Sequence, residues 1–418
     1  AIATATAQTE QLATTDPAEL PPFFGVPISI KDLNPVAAEP CTYGLRILKK
    51  RIAAADDGIV QQIRQAGFVM LGKTATSELG SYPYTDPSGF PPARNPWNLD
   101  HTPGGSSGGA AAALAAGLCA IAQGSDGGGS IRGPASCCGL VGLKPSRGRI
   151  SLAPVGDRAS GLVVNGPIAR TVADAAAMLD VLSDYVTGDP YWLPKPEIPF
   201  VEAARRSPQP LRIAVAADIP PLGTAAPHCR QVVEQMAQQL TDLGHQVEPA
   251  CPDFTGLLEP FMTVFQAMAD AAGVPIILLS KFNRWLKWRA MWTSSGQYLR
   301  AVSAVQEISR RIVAFWDDYD VLLTPTYLKP PLRVGEWAGL RSPQILKNCV
   351  EWIAPCPAFN ATGQPAISIP AGFTDAGLPL GVQLVGRPAD ELTLISLAAQ
   401  LEQAQPWIHH RPSLSAPS

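Results

Sequence analysis

Apolar positions along the chain alternate between two periods, and the alternation predicts helices interleaved with strands. From Asp57 to Phe68 the residues Ile59, Val60, Ile63 and Ala66 recur at helical spacing, and Phe68–Leu71 follows as a short apolar strand. Gly108–Gly117 reads as an Ala-rich helix and Leu118–Gln123 as an apolar strand. Thr171–Ser183 reads as a helix opened by the capping-box-like Thr171-Val-Ala-Asp174. Leu211–Ala216, Asp320–Leu323, Ala366–Pro370 and Gly381–Val385 read as buried strands, with amphipathic helices at Cys229–Leu243 and Glu391–Gln403. Prolines 190, 194, 196, 199, 208 and 210 block regular structure, which predicts a loop that wraps the molecule rather than dividing it. Between Phe254 and Trp316 the pattern is helical and carries Trp285, Trp288 and Trp292, a stripe suited to a core or to a substrate pocket. No repeat is visible at solenoid periods. Together these elements predict an α/β fold with a large mixed sheet.

Composition narrows the function classes. Of 418 residues, 46% are hydrophobic and 16% charged, which suits a large interior and excludes extensive disorder. Lys and Arg total 32 against 35 Asp and Glu, for a net charge of -3, and the cations read as scattered, which argues against direct nucleic-acid binding. The eight cysteines lack any CxxC pair, so a reducing cytoplasm is the expected setting. His409–His410 lies near the C-terminus and HExxH is absent, so no metal site is expected. Residues Ala1–Leu20 lack a basic segment followed by an apolar run and do not read as a signal peptide, and no apolar stretch is long enough to span a bilayer.

Chemistry concentrates between Thr102 and Arg149. Two glycine runs, Thr102-Pro-Gly-Gly-Ser-Ser-Gly-Gly109 and Gly124-Ser-Asp-Gly-Gly-Gly-Ser-Ile-Arg-Gly-Pro134, frame the Ala-rich helix. Glycine lets main-chain N–H groups approach a ligand closely. Ser130 follows three glycines at a strand-to-helix transition, where converging N–H groups can stabilise an oxyanion; a helix N-cap is the alternative for this serine. A serine nucleophile needs a base, and His101 is the only histidine near these runs. Lys31, in Gly25-Val-Pro-Ile-Ser-Ile-Lys-Asp32, ends an apolar strand-like run. Directed inward it would lose its charge by desolvation; on an edge strand it would face water.

These segments resemble the amidase signature family. Gly104-Gly-Ser-Ser-Gly-Gly-Ala-Ala-Ala-Ala113 and Gly124-Ser-Asp-Gly-Gly-Gly-Ser-Ile-Arg132 look like its signature, and Pro27-Ile-Ser-Ile-Lys-Asp32 looks like its lysine motif. Ser106 and Ser130 stand 24 positions apart, the family's spacing. The resemblance continues through Gly139-Leu-Val-Gly-Leu-Lys-Pro-Ser-Arg-Gly148, Leu322-Leu-Thr-Pro325, Phe359-Asn-Ala-Thr-Gly-Gln-Pro-Ala366 and Gly381-Val-Gln-Leu-Val-Gly386. It implies a single α/β/α domain over 1–418, with a signature core at 101–149 and a helical cap region at 254–318 inside the same domain. It further implies Ser130 as nucleophile, Ser106 as the serine of a cis peptide after Gly105, and Lys31 as base. The N–H groups of Gly127, Gly128, Gly129 and Ser130 would form the oxyanion hole, with Ser107, Asp126 and Arg132 as supports. Two departures stand out: the family usually has more helical sequence ahead of its lysine than the 30 residues here, and Gly127 stands where many members have Thr.

The implied reaction is hydrolysis of a small-molecule carboxamide through an acyl-enzyme, without cofactor or metal, and an ester side activity is compatible with the same route. Tyr82, Tyr84, Trp352 and Cys356 are candidate pocket residues. Two other functions share the sequence features: the glutaminase A subunit of a glutamyl-tRNA amidotransferase complex, and a catalytically silent binding protein. A homodimer is left open. Gly67-Phe-Val-Met-Leu-Gly72-Lys73-Thr74 formally fits a phosphate-binding loop, but its four intervening residues form the predicted strand and cannot wrap a phosphate. Cys137-Cys138 has no electropositive partner that would make a thiol nucleophile, and Asn360-Ala-Thr362 fits a glycosylation acceptor without a secretion signal.

Overall fold

The computed structural model describes residues 1–413; residues 414–418 of the expected 1–418 domain lie outside the described residues. Ten strands form one mixed sheet: β1 (Pro27–Lys31), β2 (Val69–Thr74), β3 (Ile121–Asp126), β4 (Val141–Lys144), β5 (Val164–Ala169), β6 (Arg212–Val215), β7 (Gln246–Pro249), β8 (Val321–Pro325), β9 (Ala366–Phe373) and β10 (Pro379–Gly386). Their order is β2-β1-β3-β5-β4-β9-β10-β8-β6-β7. The two flanks are parallel, with β1 between β2 and β3 and β6 between β7 and β8. The centre is antiparallel from β3 through β5, β4, β9 and β10 to β8.

The helices are α1 (Ile2–Leu12), α2 (Gly58–Gln65), α3 (Gly108–Ala115), α4 (Arg132–Cys138), α5 (Val172–Leu182), α6 (Phe200–Ala203), α7 (Pro227–Asp242), α8 (Leu258–Ala271), α9 (Lys281–Met291), α10 (Ser295–Val313), α11 (Ser342–Ile353), α12 (Ala358–Ala361) and α13 (Glu391–Ala404). Parallel β1 and β2 need a crossover, and α2 supplies it by turning Ile59, Val60 and Ile63 into the core. Thr171 caps α5, its Oγ1 accepting from Asp174 N at 3.0 Å, an interaction worth about 1 kcal/mol. The proline-rich stretch after Pro190 wraps the surface, held where Arg149 Nη1 donates to Pro194 O at 2.6 Å.

Three expectations move. The strand expected over Leu118–Gln123 lies at Ile121–Asp126. Gly117 ends α3 in a left-handed turn and leaves Leu118 exposed, while the polar end of β3 is kept in the sheet by its own hydrogen bonds. Gln123 is the clearest case: its Oε1 accepts from Lys31 N, and its Nε2 donates to Asn34 Oδ1 and Asn165 Oδ1. The strand expected to end at Leu71 continues to Thr74, because Gly72, Lys73 and Thr74 pair with Ser29, Ile30 and Lys31 of β1. The tryptophan stripe is neither core nor pocket as a unit: Trp285 stacks near Phe282, but Trp288 and Trp292 face solvent. Among the described residues no helix is long and apolar enough to cross a membrane.

Candidate active site

β1 carries Lys31 into the interior, where its side chain is fully buried. Its Nζ lies 2.7 Å from Ser106 Oγ, 3.0 Å from Ser125 Oγ and 3.0 Å from Ser125 O. Burial lowers its pKa to about 7; Asp126 opposes the shift and Arg158 adds to it. A neutral amine has two N–H donors and one lone pair. The two oxygens of Ser125 can take both donors, which leaves the lone pair for the Ser106 hydroxyl. Ser125 is thus a further site residue, missed in the sequence because a serine between Gly124 and Asp126 carries no pattern of its own.

The first glycine run makes the Ser106 loop possible by close approach. A Cβ on Gly105 would stand 2.6 Å from Tyr84 backbone atoms, so no larger residue fits there without movement. The Gly105–Ser106 peptide bond is cis. Ser107 knits this loop to β3: its Oγ donates to Ser125 O at 3.3 Å, and its N–H donates to Ser130 O at 3.3 Å. Ser130, the second expected serine, lines the same cavity as Ser106. It is not a side-chain helix cap, because the cap position of α4 is Ile131.

Asp126 and Arg132 hold the second glycine loop. Both are fully buried, and Arg132 Nη2 and Nε reach Asp126 Oδ1 and Oδ2 at 2.9 and 3.0 Å. The remaining guanidinium donors reach Cys356 O, Gln383 Oε1 and Asn360 Oδ1. Burial alone would raise the Asp126 pKa, but Arg132, with Lys144 and Asn360, outweighs it and holds the carboxyl well below the usual range. Asp126 also accepts from Gly129 N at 2.7 Å and from Ile131 N at 3.1 Å. The Gly129 N–H, one of the four expected oxyanion donors, is thus engaged with the Asp126 carboxylate. Among the described residues the N–H groups of Gly127, Gly128 and Ser130 have no protein acceptor. Gly127, at the family's usual Thr position, opens the cavity wall, since a Cβ there would meet Val163 Cγ2 at 3.1 Å.

The serines face a cavity of about 480 Å³ lined mainly by apolar groups, among them Phe261, Met262, Phe265, Leu346, Val350 and Ile353. Asp157 and Arg158 are its only charged lining residues among those described, and Arg158 pairs with Asp57 at 3.3 Å. Of the expected pocket residues, Tyr82 lines it. The other three do not. Tyr84 packs edge-on to Trp337; Trp352 is fully buried, its Nε1 donating to Lys329 O; Cys356 is buried behind Gly129 with its Sγ toward Thr326 O. They form the wall behind the wall, and aromatic character alone does not distinguish the two layers. The cavity wall built by α8 and α11 escaped the sequence because Leu, Val and Met there serve a pocket as readily as a core.

The other motifs settle into structure. His101 bridges Arg333 away from the cavity. Lys73, the lysine of the phosphate-loop pattern, lies on β2 and pairs with Asp32 at 2.7 Å. Burial raises the thiol pKa of Cys137 and Cys138, and Asn360 is buried, donating to Asp126 O and Leu162 O. Lys144 on β4 is a second buried lysine; burial and then Arg132 lower its pKa to about 7, and its Nζ donates to Pro145 O.

The Amidase family profile matches residues 1–395. A Synechocystis sp. protein named as an inferred amidase is 52% identical over 404 residues, covering 96% of this chain and 79% of its own. The 6-aminohexanoate-cyclic-dimer hydrolase of Paenarthrobacter ureafaciens is 36% identical over 428 residues, covering 95% of this chain and 86% of its own. A solved structure of 6-aminohexanoate cyclic dimer hydrolase complexed with substrate superposes with a TM-score of 0.92 at 32% identity, covering 99% of this chain and 90% of that one. A bacterial aryl acylamidase of the amidase signature family superposes at 0.86 with 27% identity, covering 97% and 87%. With one mixed sheet flanked by helices, two glycine loops around a buried lysine and serines, and relatives along nearly its whole length, the chain belongs to the amidase signature family and is an amidase, a hydrolase of carbon–nitrogen bonds.

Proposed function

We propose that this amidase works through a Ser130 acyl-enzyme, with a proton relay through Ser106 to Lys31, on an uncharged amide bearing a bulky aliphatic or aryl group. The observation that carries the reading is the buried Lys31 amine hydrogen-bonded to Ser106 Oγ at 2.7 Å beside a cavity that Ser130 also lines. Lys31 accepts the Ser106 proton as Ser106 accepts that of Ser130, and Ser130 Oγ attacks the carbonyl carbon. The negative charge that develops on oxygen is met by the N–H groups of Gly127, Gly128 and Ser130; one such donor is worth roughly 2.7–4 kcal/mol. The C–N bond breaks as the leaving nitrogen takes a proton back along the relay. Water, activated the same way, then releases the acid.

The substrate class rests on the cavity wall. A charged or strongly polar substrate would leave its hydration without a partner among Phe261, Phe265, Leu346 and Val350. The neutral cyclic amide named for two of the relatives falls in this class. Ester cleavage as a side activity follows from the same acyl-enzyme. A reducing cytoplasm suits the eight free thiols. The test is hydrolysis of a panel of short, aliphatic and aryl amides and esters by wild type, Ser130→Ala, Ser106→Ala and Lys31→Met. We expect turnover of apolar amides by wild type and a loss on the order of 10³-fold or more in each variant. Turnover retained by Ser130→Ala would remove the nucleophile assignment.

A further inference from the structure

We infer that the outward face of α9, with the turn leading into it, is a docking surface for an anionic lipid surface. The first observation is a cluster of exposed apolar side chains. Arg284, Trp288, Met291 and Trp292 recur at helical spacing and share one face of α9 and its end. Trp288 is 54%, Met291 61% and Trp292 75% exposed, and Ile277, in the turn before α9, is 75% exposed. Large side chains grouped this way on a surface mark an interaction site, and indole rings suit a membrane interface, with an apolar body and one polar N–H.

The second observation is charge. No acidic residue occurs between Asp270 and Glu307, whereas Lys281, Arg284, Lys287, Arg289 and Arg300 all fall in that interval of a chain whose net charge is -3. Five of the chain's 32 cations fall in this interval, with no carboxylate between them. Lys287 is paired with Asp270. Lys281 and Arg284 reach only the carbonyls of Leu340 and Leu279, and Arg289 reaches Gln266 and the Trp285 ring. Lys281, Arg284 and Arg289 of α9 thus lack a carboxylate partner among the described residues, on a helix whose Trp288 and Trp292 face solvent. A basic helix with Trp on its outward side is the composition of an interfacial helix, its cations drawn to an anionic leaflet. A second copy docking by the same face would set these cations against each other, which argues against a two-fold dimer here.

The opposite face of α9 explains why the helix stays on the protein. Phe282 and Leu286 are buried, and Asn283 Nδ2 donates to Glu78 Oε1 at 2.8 Å. Phe282 also lines the catalytic cavity, together with Met268, Ala271 and Ala272 at the end of α8. One helix therefore borders the cavity on one side and presents the docking face on the other, so apolar amides dissolved in a bilayer would be delivered beside the cavity wall.

The test is co-sedimentation of the full chain with vesicles of phosphatidylcholine alone or mixed with phosphatidylglycerol, at low and high salt, alongside tryptophan fluorescence. Expected are binding to the phosphatidylglycerol vesicles, release at high salt and a blue shift on binding. The double variant Trp288→Ser/Trp292→Ser should bind at least about tenfold more weakly with unchanged melting temperature and unchanged turnover of a water-soluble amide. Lys281→Glu/Arg284→Glu should do the same without removing an indole. Absence of binding by wild type, binding unaltered in both variants, or a dimer in sedimentation velocity that the tryptophan variant dissociates would overturn the inference.

Discussion

Lys31 and Arg158 define the pH behaviour at the scale of single residues. The base must be neutral, so kcat/KM should rise with pH through a limb near 7, where burial has brought the lysine. The Lys144 pKa is also brought to about 7, but by burial, Arg132 and Arg147 against the opposing Asp126 and Glu391, whereas Arg158 acts on Lys31. Arg158 lowers the Lys31 pKa, so Arg158→Gln should move the limb to higher pH; a limb that stays in place would assign it to another group. A second residue-scale expectation concerns Arg132. All its donors are used in a buried site, and Arg132→Met would strand the Asp126 carboxylate, at a cost of about 3–5 kcal/mol in chemical denaturation. A loss under about 1 kcal/mol would mean that water reaches Asp126.

Among the elements, the loop from Asp126 to α4 sets a backbone requirement at one glycine that it does not set at the glycine before it. Gly129 holds φ at +117°, and a Cβ there would stand 2.7 Å from Cys356 Cβ, whereas a Cβ on Gly128 meets nothing closer than 3.9 Å. Gly129→Ala should therefore lose about 1–3 kcal/mol and Gly128→Ala less than about 1 kcal/mol, read as denaturation midpoints. Equal losses would contradict this account of the loop. The same loop shows what a sequence can carry. Glycine runs and an apolar strand ending in lysine made Ser130 and Lys31 plausible from the residues themselves, whereas Ser106 and the 24-residue serine spacing were marked by the resemblance to the family's motifs. The amphipathic helices α2 and α7 were legible from periodicity alone, and α13 was legible as a helix although it buries most of its circumference and not one face. Strands β4, β5 and β7 were not, being short or interrupted by glycine and polar residues whose sheet partners lie far along the chain. Nor could periodicity reveal that Gly129 spends its N–H on Asp126, or that Trp352 sits behind Tyr327 and not in the cavity.

At the scale of the whole molecule, the sheet presents the serines and the helices α8 and α11 shape what reaches them. Val350 of α11 lines the cavity, so Val350→Trp should reduce kcat/KM for bulky apolar amides by at least about tenfold while changing short amides little. An equal loss for both would indicate damage to the relay rather than a narrowed cavity, and the melting temperature separates overpacking from occlusion. The central claim, that an acyl group passes through Ser130, is tested most directly by acid-quenching the enzyme during turnover of an apolar ester or activated amide, then locating the added mass by peptide digestion. The account predicts the acyl mass on the peptide containing Ser130 in wild type and its absence in Ser130→Ala. An acyl mass on another residue, or undiminished turnover by Ser130→Ala, would contradict it.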